Sequence, residues 1–109
     1  TLENLEEAAG CEAREATEDY PAHAAAAREE GFAEAAAVFA ALAVAEAGHR
    51  ERFLALAGNI RQGRVFARQE PVTWRCRHCG WTRHATAAPE RCPACAHPQA
   101  HFEIAASNW

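Results

Sequence analysis

Residues 32–61 read FAEAAAVFAALAVAEAGHRERFLALAGNIR, and this stretch decides the fold. Its larger apolar residues recur every three or four positions, which predicts one long helix with a single buried stripe. The stripe comprises Phe32, Ala35, Ala36, Phe39, Leu42, Phe53, Leu56 and Ile60. The same register puts Glu46 and His49 in line with these apolar residues, between Leu42 and Phe53.

Glu46 and His49 are polar residues at positions where the helix predicts core side chains. Burying a carboxylate without a partner costs several kcal/mol, so Glu46 must take up a proton, be paired or bind a metal. The two residues are one turn apart, so both side chains reach a single ion.

Residues 2–30 predict a first long helix that precedes this one. Its inner stripe comprises Leu2, Leu5, Ala9, Ala16, Tyr20, Ala27 and their neighbours. Pro21 lacks a backbone donor, so we expect it to kink or loosen the helix. Gly31 is expected to be the C-cap of this helix, and the turn there is so short that the two helices must run antiparallel.

Two acidic residues of the first helix lie level with Glu46 and His49. Glu12 and Glu15 fall at or beside its inner face, about as far from the turn at Gly31 as the other pair. This antiparallel match predicts a metal site between the two helices. Seven of the other acidic residues are expected on a solvated face: Glu3, Glu6, Glu7, Glu29, Glu30, Glu34 and Glu51.

Charge divides the 109-residue chain into two parts. Residues 1–60 hold twelve acidic residues and four arginines, whereas residues 61–109 hold seven arginines and three glutamates. This shift predicts a helical module over residues 1–61 and a linker with a second module over 62–109. No apolar run is long enough to span a membrane, and no signal peptide is evident, so we expect a cytoplasmic protein. The absence of Met indicates a processed sequence or one that starts partway through a longer reading frame.

Four of the five cysteines form two CxxC pairs, Cys76/Cys79 and Cys92/Cys95. In a chain without an export signal this pattern indicates a tetrahedral metal site of four thiolates, with zinc and iron both open. None of the histidines of this region is then needed as a ligand: His78, His84, His97 and His101. Gly80 suits the tight turn after the first pair. The fifth cysteine, Cys11, is expected to be a small buried residue.

The second module has few apolar residues with which to build a core. Two short extended pieces are predicted, over residues 64–67 and 72–75. Trp74, Trp81 and Phe102 are expected to wrap the thiolate site and to replace a conventional core.

The helical site is half of a familiar set of ligands. A carboxylate-bridged di-iron site in a four-helix bundle takes one Glu from each of two helices and a Glu-x-x-His from each of the other two. This chain has one helix of each kind. A missing helix pair or a second copy of the chain would complete the set.

Several motifs resemble the rubrerythrin family over nearly the whole chain. They are residues 92–103 (CPACAHPQAHFE), VFAALAVAE at 38–46 followed by His49, Glu12 and Glu15, TEDYP at 17–21 and AREEG at 27–31. The resemblance implies half of a ferritin-like di-iron bundle followed by a rubredoxin-like Fe(Cys)4 domain. It implies di-iron ligands at Glu12, Glu15, Glu46 and His49, with Tyr20 as a hydrogen-bond partner behind them. It also implies that Cys76, Cys79, Cys92 and Cys95 hold a single iron.

The resemblance further implies a non-haem peroxidase that protects against oxidative stress. Such an enzyme reduces hydrogen peroxide to water with electrons relayed through the cysteine-bound iron, supplied by a donor such as a rubredoxin or its reductase. The sequence resembles the C-terminal part of such a protein and is expected to lack the first helix pair. A ferroxidase on the same bundle is one alternative. A non-enzymatic zinc ribbon on a helical dimerisation hairpin is another, and seven arginines after residue 60 favour it.

Overall fold

A computed structural model describes residues 1–108 of the chain. The chain forms two compact units, the first spanning Thr1–Arg61 and the second beginning at Gln62. The first is a hairpin of helices, and the second is a small antiparallel sheet that carries the four paired cysteines. This arrangement confirms the fold class predicted from the sequence.

The first arm of the hairpin is a helix with a wide turn in its middle. Helix α1 spans Leu2–Arg14, a π-helical segment spans Glu15–Asp19, and α2 spans Tyr20–Glu29. The backbone N–H of Tyr20 donates to the carbonyl of Glu15, five residues earlier. Pro21 follows at once and has no N–H for a regular α-helical bond, so the predicted loosening of the helix is confirmed as a π turn.

A Schellman turn joins the two arms. Gly31 has φ +86°, and its N–H donates to the carbonyl of Arg28 at 3.2 Å. The N–H of Phe32 donates to the carbonyl of Ala27 at 2.7 Å, which completes the motif. The predicted cap at Gly31 is therefore confirmed, and α3 runs back along the first arm as a single helix, Ala33–Arg61.

Small residues allow the two arms to pack closely. The buried apolar residues of the hairpin are all alanines: Ala9, Ala24, Ala27, Ala36 and Ala57. An ion pair between Arg61 and Glu6 joins the two arms at the end opposite the turn. Much of the apolar surface of α3 and of the turn before it stays exposed, namely Phe32, Val38, Val44, Leu54, Leu56 and Ile60. The prediction that Phe32, Ala35, Leu56 and Ile60 lie in a buried stripe is therefore wrong for the hairpin alone, because the first arm covers only one side of α3.

The second unit is a three-stranded sheet in the order β2-β1-β3. Strand β1 spans Ala67–Cys76, β2 spans Thr82–Ala87, and β3 spans Phe102–Ile104. The two predicted extended pieces are thus one strand, and residues 64–66 lie outside it. Its pairing with β2 shifts register between Ala67 and Val72, where Pro71 has no N–H to donate to the ladder.

Trp74, Cys76, Ala88, Cys92 and Phe102 form the core of the second unit. Trp81 packs against this core at its rim, edge-on to Phe102 with ring centroids 6.2 Å apart. The indole N–H of Trp74 donates to the carbonyl of Ala85 at 3.1 Å, so the buried ring leaves no orphaned donor. The prediction that aromatic rings wrap the cysteine site is confirmed. Among residues 1–108, no helix has the length and apolarity that a membrane span requires.

Candidate metal centres

The sulfur atoms of Cys76, Cys79, Cys92 and Cys95 converge at one end of the sheet, all within 4.8 Å of one another. Cys76 Sγ lies 3.7 Å from Cys95 Sγ, and Cys79 Sγ lies 3.6 Å from Cys92 Sγ. A tetrahedral ion with metal–sulfur bonds of about 2.3 Å has sulfur–sulfur edges of about 3.8 Å. The two measured sulfur–sulfur distances match these edges, so the four thiols suit a single tetrahedral metal ion.

Two similar turns hold the cysteine pairs. In the first, the N–H of Gly80 donates to the carbonyl of Cys76 at 2.9 Å, and Gly80 has φ +80° as predicted for a tight turn. In the second, the N–H of Ala96 donates to the carbonyl of Cys92 at 2.9 Å, and Ala96 has φ +60°. Sequence reasoning missed Ala96. Its position, one residue after the second cysteine like that of Gly80, was the available signal.

The pKa values of two thiols move in opposite directions. Backbone N–H groups of Cys79 and His78 lower the pKa of Cys76 to about 7, against the opposing effect of burial. The backbone N–H of His97 lowers the pKa of Cys95, but burial and the other three thiols raise it to about 12. Crowded thiols cannot all ionise in the absence of a cation. A metal ion supplies the missing positive charge and displaces the protons.

A second cluster lies between the two arms of the hairpin. It contains Glu12 of α1 and Glu46 and His49 of α3, with one ligand atom of each within 4.8 Å of the others. His49 Nδ1 lies 2.5 Å from Glu46 Oε2 and 3.7 Å from Glu12 Oε2. The opposing levels predicted for these residues are therefore present in the folded hairpin.

The Oε2 atom of Glu12 is buried and has no hydrogen-bond partner among residues 1–108. Burial raises the pKa of Glu12 above its ordinary value of 4.5, and the nearby carboxylates of Glu46 and Glu15 raise it further. His49 partly opposes this change. An unpartnered carboxylate oxygen beside a second carboxylate and an imidazole fits a hard or borderline cation.

The other residues singled out from the sequence lie outside this cluster. Glu15 begins the π-helical segment and is half-buried, and its ligand role stays a prediction. Tyr20 stacks on Phe39 with ring centroids 6.1 Å apart, and no hydrogen bond within residues 1–108 involves its hydroxyl group. The prediction that Cys11 is buried is wrong, because neither arm of the hairpin covers its side chain, which is exposed.

The environment of His49 also differs from the predicted one, because this residue was expected to be buried. Its side chain is 54% exposed, whereas that of Glu46 is 11% exposed. The register that places both residues in line is present, but the hairpin covers only the Glu46 side of α3. The cluster is therefore closed toward α1 and open along the edge where His49 lies.

Comparisons with known proteins match both units. Residues 1–57 match the family described as Rubrerythrin, and residues 74–103 match the family described as Rubrerythrin, rubredoxin-like domain. A rubrerythrin of Nitratidesulfovibrio vulgaris is 55% identical over all 109 residues, which are 57% of its length. A rubrerythrin of Porphyromonas gingivalis is 50% identical over 109 residues, 54% of its length.

Solved structures of nigerythrin are similar as well. The partially reduced and the fully reduced, all-ferrous forms are 32% identical to this chain, with TM-scores of 0.54 and 0.53. The alignments cover 95% of this chain and 49% and 48% of those chains. The chain thus spans about half the length of the relatives that it matches.

Proposed function

Because the chain belongs to the rubrerythrin family, we propose that it supplies half of a di-iron peroxidase site together with the iron centre that feeds it electrons. The reaction is reduction of hydrogen peroxide to two waters, which consumes two electrons and two protons. In the cytoplasm this activity would protect against oxidative stress. Iron binding itself follows from the family and from the rubredoxin-like four-cysteine site.

The convergence of Glu12, Glu46 and His49 carries the proposal. The three side chains come from two helices, meet at one level and include a buried carboxylate oxygen without a partner. A zinc ribbon on a dimerisation hairpin would have no use for such a cluster. Glu15, one turn after Glu12, would add a ligand from the π-helical segment, and Tyr20 would lie behind it.

The ligand set needs a second pair of helices. Four-helix di-iron bundles use two further ligand groups that this chain lacks. The exposed apolar residues of α3 and the open edge at His49 support a partner at that face. Either two additional helices or a second copy of this chain, as a homodimer, would cover it and complete the site.

When bound, the iron pair supplies the two electrons that cleave the O–O bond, and the cysteine-held iron passes electrons singly. His49 Nδ1 lies 2.5 Å from Glu46 Oε2, and a proton shared between these two atoms must leave before both of them bind a metal. The negative charges of Glu12 and Glu46 would balance the positive charge of the bound metal. The four thiols and the amide groups around them hold the second centre in a shell that changes little on electron transfer.

The electron donor is proposed to be a small redox protein such as a rubredoxin or its reductase. Cys79 is exposed at the edge of the thiolate cluster, whereas Cys76 and Cys92 are buried, so electrons would enter nearest Cys79. The excess of arginine over glutamate after residue 60 would attract an acidic donor.

Iron content, oligomeric mass and peroxide turnover together test the proposal. A homodimer that rebuilds the bundle contains about two irons per chain and turns over peroxide, and a hairpin without its partner contains about one and does not. In the active assembly Glu46→Gln should abolish turnover, whereas Glu51→Gln, an exposed change on the same helix, should not. Fast oxidation of ferrous iron by oxygen with negligible peroxide turnover would establish the ferroxidase instead. A colourless protein that retains zinc would overturn the electron-transfer role.

A further inference from the structure

A short segment, residues 96–101, begins directly after Cys95 and carries side chains that have no part in the function proposed above. It leads into β3, so it lies at the edge of the sheet opposite β2. Two histidines of this segment, His97 and His101, meet edge-on with ring centroids 4.6 Å apart. His78, from inside the first cysteine pair, stacks on His97 with ring centroids 3.8 Å apart. Imidazole rings therefore line this side of the four-cysteine site.

Two arginines are fixed on the same segment by hydrogen bonds. Arg77 Nη2 donates to the carbonyl of Ala100 at 3.1 Å, and Arg91 Nη1 donates to the carbonyl of Ala96 at 2.7 Å. Both side chains are exposed, and neither makes an ion pair with a carboxylate among residues 1–108. A guanidinium group has five N–H donors in a rigid fork, so most of these donors remain for a carboxylate of another molecule.

The charge of the small sheet unit favours an acidic partner. Residues 74–104 contain four arginines and two glutamates, which gives a net charge of +2. One of the glutamates, Glu103, is already paired with Arg75 at 2.7 Å. Four thiolates that hold a ferric ion add one negative charge, which by itself would repel an acidic protein. Because Arg77 and Arg91 are exposed beside the site, their positive charges offset this repulsion on the side where they lie.

The stacked imidazoles connect this surface with the sulfur of Cys95. A ring nitrogen of His78 and one of His97 lie within 4.8 Å of Cys95 Sγ. His97 Nδ1 also lies 3.2 Å from the carbonyl oxygen of Cys95, which ties the half-buried ring to that residue. The ring of His78 is exposed. Electrons tunnel more efficiently through packed atoms than across a gap filled with water, so a protein that covers His78 is well coupled to the cysteine site.

We propose that Arg77, His78 and Arg91 form the docking surface for a small acidic redox protein, and that the stack of His78 on His97 carries its electron to Cys95 and the iron. This proposal deepens the proposed function and rests on it, because it requires iron in the four-cysteine site. One electron leaves the reduced donor, which is oxidised, and enters the ferric ion of this chain, which is reduced. No covalent bond forms or breaks in this step.

The test measures reduction of the full chain, loaded with ferric iron, by a reduced flavodoxin of net negative charge. Oxygen and peroxide are excluded, and flavin and ferric–thiolate absorbance are recorded separately. Arg77→Gln combined with Arg91→Gln should lower the second-order rate constant about fivefold or more at low ionic strength. The difference should disappear at about 1 M salt, where charges are screened within about 3 Å. Arg83→Gln removes the same charge from β2, at the opposite edge of the sheet, and should have little effect.

A second pair of variants tests the route through the rings. His78→Ala should lower the limiting rate at saturating flavodoxin several-fold, with the reduction potential unchanged, because it removes the exposed ring of the stack. His84→Ala, an exposed change on β2, is the matched control and should not alter this rate. Intact ferric–thiolate bands in every variant show that the unit is folded and loaded.

Binding of oxidised flavodoxin to the ferric chain, measured by calorimetry, gives a readout without electron transfer. The affinity should fall in the variant of Arg77 and Arg91 and stay the same in Arg83→Gln. Equal rates and equal affinities for these two variants would overturn the proposal. So would an effect confined to reoxidation by peroxide, which would mean that this surface contacts another part of the assembly. Reduction by flavodoxin does not involve the di-iron site, so its failure is distinguishable from a loss of peroxide turnover.

Discussion

His49 Nδ1 on α3 lies 3.7 Å from Glu12 Oε2 on α1, and the same nitrogen lies 2.5 Å from Glu46 Oε2. One imidazole thus connects two carboxylates from different helices. These carboxylates, Glu12 and Glu46, are more than thirty residues apart in the chain. The carboxylates of Glu12 and Glu46 carry like charges, so they stay close together only when a proton or a metal ion lies between them. Its stability is therefore expected to depend on pH and on metal.

The metal-free chain should become less stable as pH rises through the raised pKa of Glu12. Burial favours the protonated form of this carboxyl group in the folded state, so the folded chain binds more protons than the unfolded one. The resulting stabilisation is complete below the ordinary value of 4.5 and is lost as pH rises through the raised value. Urea unfolding of the metal-free chain at a series of pH values measures it. Glu12→Gln should flatten the dependence, and Glu7→Gln, exposed on the same helix, should not; identical slopes for both would refute the assignment.

Cys76→Ser should abolish iron binding at the thiolate site and unfold the second unit. Cys76 is buried in the core of the small sheet, and a unit of this size relies on its metal for much of its stability. Cys11→Ser is the matched control, because Cys11 is exposed on α1 and belongs to the other unit. The visible ferric–thiolate bands and near-UV circular dichroism report the two effects. Retention of the bands in Cys76→Ser would contradict a four-thiolate site.

Two glycine substitutions should have opposite effects on the hairpin. Gly31→Ala should destabilise it by about 1 kcal/mol, because Gly31 adopts φ +86° and an L-residue is strained there. Gly48→Ala should stabilise α3 by about 1 kcal/mol, since a Cβ atom at Gly48 meets nothing within 4 Å. Thermal unfolding of the two variants beside the parent chain measures both changes. A loss of stability in Gly48→Ala would show that another surface covers this side of α3.

Ala57→Leu should destabilise the hairpin by about 1–3 kcal/mol. Ala57 is completely buried, and a larger side chain there must push the helices apart. Ala47→Leu adds the same atoms at an exposed position of α3 and should change stability little. Chemical denaturation of both variants separates overpacking from a general effect of leucine. Equal midpoints would mean that the interface at Ala57 is not tightly packed.

Several features followed from local patterns alone. Apolar spacing predicted α3, whose observed span, Ala33–Arg61, begins one residue later than expected. Gly31 predicted the turn because few other residues adopt its conformation without cost. Cysteine spacing predicted the thiolate cluster, since two CxxC pairs leave few other arrangements for four sulfur atoms. Each of these signals involves residues close in sequence.

Other features escaped prediction because they depend on more than one element. His49 and Phe32 are exposed because the first arm of the hairpin covers only part of the surface of α3 and of the turn before it. The positive φ of Ala96 is imposed by the second cysteine turn, against the preference of alanine. The stacking of His78 on His97 arises because two cysteine pairs from separate turns meet at one point.

By itself the sequence determined that Glu46 and His49 share one line of α3 and that Glu12 lies at the same level, because helical periodicity sets angle and height along an axis. Only the tertiary structure decided which of these atoms meet. Alanine packing draws α1 against α3, the π turn at Glu15 changes the register after Glu12, and the absence of a covering helix in the hairpin exposes His49. Distances between side chains on different helices depend on such packing, which periodicity within one helix does not contain.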